Sequence, residues 1–150
     1  MRPIEEIERE IVEEFARFNN WADKYKHLID LGKVVPELPE QYRKDKYKVS
    51  GCQAQVWLFA ELTEQELQGG IHFYADSDAL IVKGLISLLL RYYSGQEPAI
   101  IIQKDPLFIN MIGLDKHLSA NRSNGLAAMI KQMKMYSYAL KTLQGRSIEN

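Results

Sequence analysis

With 150 residues, 46% of them hydrophobic, and a formal net charge of -1, the chain suits one globular domain over residues 1–150, built on a single core. The balanced charge argues against nucleic acid as a partner, because phosphate binding shows as a basic excess. The acidic, amphipathic start is unlike a signal or transit peptide, and the most apolar stretch, Ala79 to Leu90, carries Lys83 and falls short of the about 20 residues of a membrane span; a cytoplasmic protein is expected.

Ile4, Ile7, Ile11, Phe15 and Phe18 recur at steps of three and four, with six glutamates on the other sides, which predicts an amphipathic helix over residues 4 to 18. A second helix is expected from about Trp21 to Leu31, with Gly32 as its stop. Pro36 and Pro39 then break any helix, so the stretch up to Gln53 reads as a surface connection. Ala54 to Leu62 and Gly70 to Ala75 are rich in β-formers, and the intervening TEQELQGG is turn-like. An antiparallel hairpin results, to which Tyr47 to Val49 can add a short third strand.

Beyond the hairpin, Ser77 or Asp78 can cap a helix running to near Gly95. Pro98 to Ile102 can be a short helix or, from AIII alone, a strand. Asp105-Pro106 supplies a cap and a first helical proline, with Gly113 ending that helix. Leu126, Met129, Ile130, Met133, Tyr136 and Leu140 mark a last helix from about Ser123 to Leu143. The fold class is α+β: a small antiparallel sheet, a hairpin with a possible third strand, packed with helices.

Cys52 is the only cysteine, which excludes an internal disulfide and a cysteine-rich metal site. The three histidines, His27, His72 and His117, are too far apart for zinc-ligand spacing, so no metal site is expected. Cys52 is therefore a buried structural thiol or a reactive one. It stands in SGCQAQVW between a surface segment and a strand, with Gly51 leaving room for a second molecule. Arg43, Lys44, Lys46 and Lys48 just upstream can favour the thiolate, contact a partner, or simply be solvated.

These residues carry a resemblance. SGCQAQVW resembles the cysteine loop G-C-x-S-x-V-W of the SufE-like (SufE/CsdE) sulfur acceptors. ADSDALIVKGLISLLLRYYSG resembles the family's A-D-S-D-A and I-V-x-G-L segment, and DPLFINMIGLDKHLSANRSNGLAAM its D-P, L-G-L, H-L-S and R-x-N-G-L-x-A-M block. The blocks follow in the family's order over most of the chain. Two departures stand out: Ala54 replaces a frequent serine in the loop, and Ala120 a frequent proline after H-L-S.

The resemblance implies a fold similar to that of the U-type iron–sulfur scaffold proteins. It also implies a function that depends on a partner. A pyridoxal-phosphate-dependent cysteine desulfurase, of the SufS type or the sister CsdA type, would pass persulfide sulfur to Cys52 and turn over faster for it. The sulfur would then go to a downstream scaffold complex for iron–sulfur cluster assembly. This side of the exchange needs no cofactor of its own, and the protein would be an accessory of sulfur transfer rather than a stand-alone enzyme. Gly51, Gln53, Asp76, Asp78 and Arg122 are the supporting loop and partner-contact residues.

Each also has a plainer reading. Asp76, Ser77 and Asp78 can serve the helix start, and Arg122 can pair with Asp76 or Asp78 instead of meeting a sulfur anion or a partner. His117, near a turn, reads as structural, and Trp57, Phe59, Phe73 and Tyr74 as core or sheet-face residues. Two competing functions are a thiol enzyme acting alone, which would want a base or a second cysteine, and an adaptor whose cysteine merely packs.

Overall fold

The isoleucine and glutamate pattern at the N-terminus produces α1 (Ile4–Ala16), with Ile4, Ile7, Ile11 and Phe15 buried and Glu5, Glu6, Glu10 and Glu13 facing outward. The computed structural model describes residues 2–62 and 69–149, with side chains through Leu143. After α1 come α2 (Trp21–Lys33), two single 3₁₀ turns (Glu40–Tyr42 and Asp45–Tyr47), β1 (Val56–Leu62) and β2 (Ile71–Ser77). The rest is helical: α3 (Leu80–Tyr93), α4 (Pro98–Gln103), α5 (Phe108–Ile112), α6 (Leu114–His117) and α7 (Ala120–Glu149). Residues 63–68 of the expected turn between the strands lie outside the described residues.

Asn20 starts α2 by accepting the Asp23 N–H at 2.9 Å. Gly32 does not stop this helix. It lies inside the last turn, where a Cβ would sit 2.9 Å from both the Gly84 nitrogen and Lys83 Cβ. A Cβ on Gly84 would fall 2.2 Å from the Leu28 carbonyl oxygen. The two helices α2 and α3 therefore cross backbone against backbone, an approach that only glycine permits.

The strands pair antiparallel, Val56 opposite Ser77 and Leu62 opposite Ile71. Period-two alternation puts Val56, Leu58, Ala60, Ile71, Phe73 and Ala75 on one buried face, toward α3 and α7. Trp57, Phe59, Tyr74 and Asp76 lie on the other. Residues 36–49 strap across that second face: Tyr42 stacks on Phe59 at 4.2 Å, Tyr47 meets Phe59 edge-on at 5.3 Å, and Leu38 and Val49 are buried. The connection is thus partly core, not wholly surface.

The possible third strand shrinks to one bridge, Lys48 opposite Trp57, with the Val49 N–H donating to the Val56 carbonyl at 2.9 Å. The 3₁₀ turn before it and the turn at Gly51 after it leave too little extended chain for a ladder. Tyr136 covers the next position of that edge, donating its hydroxyl to the Leu58 carbonyl at 3.0 Å.

The corner after β2 also differs from expectation. The strand runs on through Ser77, and Ala79, whose side chain cannot cap, precedes α3. Ser77 Oγ accepts the Ala79 N–H at 3.2 Å, while Asp78 reaches back to accept the Gln55 N–H at 3.1 Å. Pro98 opens a helix, not a strand. The helix α5 begins at Phe108, two residues past Pro106, and Gly113, at φ 94°, ends it as expected. The last helix begins three residues earlier than expected because Ser119 caps it, accepting the Arg122 N–H at 3.3 Å.

Candidate functional site

Gly51 takes φ 92°, a left-handed conformation that a side chain would strain, and so turns the loop onto α7. A Cβ there would lie 3.5 Å from Ala128 Cβ. The next residue, Cys52, is half-buried, and its thiol donates to the Gly125 carbonyl at 3.6 Å. Gln53 fastens the loop on its other side, its side-chain oxygen accepting the Asn121 amide at 3.0 Å.

Cys52 stands on a cavity of about 310 Å³ formed between the loop, β1, α3 and α7. Val56, Val82, Leu85, Leu126 and Met129 supply its apolar lining, while Gln53, Ser119, Asn121 and Arg122 supply its polar groups. Ala54 also lines it and adds no hydroxyl. Burial pushes the Cys52 thiol above its usual range. The upstream basic residues do not counter this. Arg43 pairs with Asp76 and lies over the Trp57 ring at 5.2 Å, Lys48 pairs with Asp45 at 3.1 Å, and Lys46 lies over the Tyr47 ring at 5.0 Å.

The expected supporting residues separate into two groups. Gly51, Gln53 and Arg122 are at the thiol's cavity or its loop. Arg122 is exposed, and among the described residues its guanidinium makes no ion pair, so the expected alternative of pairing with Asp76 or Asp78 does not occur. Asp76 and Asp78 are not in the cavity lining. Asp76, on the strapped face, is buried between Arg43 and Lys83, the latter at 3.5 Å, and also accepts the Ser77 N–H at 2.8 Å. Asp78 holds the loop's exit through Gln55. His117 stacks on Trp21 at 3.9 Å and its Nδ1 meets the Gly113 carbonyl at 3.0 Å, a structural place away from the thiol.

Residue reading missed Gly125 as the thiol's neighbour, together with the cavity's apolar lining. A glycine within an otherwise regular helical pattern costs roughly 0.5–1 kcal/mol relative to alanine, and that misfit was the available signal.

The fold gives the class. An α+β architecture of this kind is shared with the solution structure of a hypothetical protein from Thermus thermophilus, at a TM-score of 0.73 and 21% identity, over 91% of this chain and 96% of that one. The sequence then gives the family. The family model SufE, described as an Fe-S metabolism associated domain, matches residues 9–137. An uncharacterised SufE-like protein of Rhizobium meliloti (strain 1021) is 41% identical over 126 residues, covering 83% of this chain and 90% of that protein. Another, of Rhizobium etli, is 40% identical over 126 residues, covering 83% and 85%. The chain belongs to the SufE family, and its role lies in Fe–S metabolism.

Proposed function

We propose that the chain, as one SufE-like domain over residues 1–150, accepts sulfur as a persulfide on Cys52 from a pyridoxal-phosphate-dependent cysteine desulfurase. It thereby speeds that enzyme and carries the sulfur to an iron–sulfur scaffold complex in the cytoplasm. What supports this reading most is one observation: the single thiol of a SufE-family chain stands half-buried on an apolar cavity, in a loop that resembles the cysteine loop of the sulfur acceptors. Among the described residues, no helix is long and apolar enough to cross a membrane.

The chemistry is thiol–persulfide exchange. The Cys52 thiolate attacks the outer sulfur of the donor persulfide, the donor's S–S bond breaks, and the donor cysteine leaves as a thiolate. Because burial disfavours the resting thiolate, the loop swings out toward the donor to react and returns afterwards. Gly51 gives that swing its hinge, Gln53 releases Asn121, and Asp78 keeps the exit of the loop anchored. Asp76 holds the strap through Arg43, and the unpaired Arg122 is available to the partner or to the sulfur anion.

The SufS-type enzyme is the preferred donor, with the CsdA-type enzyme as the second. Intact mass after incubation with either enzyme and free cysteine tests the proposal. The expected result is a reducible gain of one or more sulfur atoms in the wild type and none in Cys52→Ser. No gain from either enzyme would leave Cys52 as a packing thiol.

A further inference from the structure

Gly125 lies in the second turn of α7, where its backbone is not in the left-handed region. Glycine inside a helix is destabilising relative to alanine, so its presence there calls for a neighbour that needs the space. A Cβ built on Gly125 would meet Cys52 alone among the described residues, with Sγ at 3.5 Å and Cβ at 3.9 Å. Those are ordinary contact distances, and a reduced thiol would tolerate alanine at this position. The missing methyl therefore leaves room that the thiol itself does not use.

We propose that this room seats the outer sulfur of a Cys52 persulfide, which makes Gly125 a positioning residue for the loaded state. The inference rests on the sulfur-acceptor reading. Loading forms one Sγ–S bond and breaks the donor's S–S bond, with the donor thiolate taking the electron pair, so no outside oxidant or reductant enters. The new bond extends the side chain by about 2.05 Å. Turned toward α7, the outer sulfur comes nearer than Sγ to the place of an alanine methyl, which stands 3.5 Å from Sγ, so a methyl there would crowd it. Buried Leu126 and Met129 keep that side of the helix apolar, which shelters the persulfide from attacking thiols.

The test loads the 150-residue protein with sulfur from a SufS-type or CsdA-type desulfurase and free cysteine, and then removes the enzyme. Loss of the added mass is followed under a dithiothreitol challenge, wild type against Gly125→Ala. The variant is expected to keep a Tm no lower than wild type, yet to lose the bound sulfur several-fold faster. Equal persulfide lifetimes in the folded variant overturn this inference and leave the acceptor reading standing. A wild type that gains no sulfur from either enzyme overturns both. A crystal structure of the persulfidated wild type gives a second measurement that does not depend on the variant folding. The outer sulfur in contact with the Gly125 backbone is the expected result, and an outer sulfur pointing away from it overturns the proposal.

Discussion

Two glycine contacts in this molecule look alike in sequence and differ in physics. At the crossing of α2 and α3, a Cβ on Gly84 would stand 2.2 Å from a carbonyl oxygen, and neither backbone can give way without separating the helices. At the contact between Cys52 and α7, a Cβ on Gly125 would stand 3.5 Å from the sulfur and displace nothing. The first glycine is compelled by packing already present. The second relieves no clash in the resting protein.

The largest effect should come from breaking the compelled contact. Gly84→Ala is expected to destabilise the protein by about 3 kcal/mol or more, since overpacking against backbone has no flexible end to absorb it. Urea unfolding measures this, and a loss below about 1 kcal/mol would show that the crossing can open, since overpacking costs are typically 1–3 kcal/mol.

A smaller effect follows on the thiol's side of the comparison. Asp78→Ala removes the acceptor of the Gln55 N–H and unties the exit of the loop. A stability loss of about 1 kcal/mol is expected, together with faster alkylation of Cys52 by iodoacetamide. Unchanged alkylation would mean that the loop is held by Gly51 and Gln53 alone.

The smallest effect is the pH dependence. Burial raises the Cys52 pKa on folding, so the folded state favours the neutral thiol. Its contribution to stability is complete below the ordinary thiol value of about 8.5 and is withdrawn as pH rises through the higher folded value. The stability of wild type relative to Cys52→Ser should therefore fall between neutral and strongly alkaline pH. The alkylation rate should likewise inflect above the ordinary thiol value; an inflection at that value would mean that the loop spends its time outside the cavity.

Periodic elements were legible because their pattern is local. Ile4 to Phe15, the two strands and the stripe from Leu126 to Met133 each announce which face turns inward. The crossing at Gly32 was not legible, because one helix cannot tell which glycine of another it will meet. Nor was the strap. Tyr42 reads as part of a surface connection and Tyr47 as the start of a possible third strand, and only the pairing of β1 with β2 creates the face their rings cover. In the candidate site, Cys52, Gly51 and Arg122 were readable from short blocks of sequence. The cavity was not, since its lining is gathered from β1, α3 and α7. The capping roles given to Asp76 and Asp78 failed for a related reason: the strand continues two residues further, and both carboxylates find partners across the fold.

The strap also has an optical consequence. Trp57 carries a buried indole N–H with no hydrogen-bond partner among the described residues, and the Arg43 guanidinium lies over its ring. The other tryptophan, Trp21, is stacked on His117, half-buried and outside this region. An indole in so dry a setting emits toward the blue, and water admitted by a lifted strap would shift that emission toward the red. The protein thus carries an intrinsic fluorophore five residues from its thiol, able to report in real time whether engaging a partner disturbs the strap beside the loop.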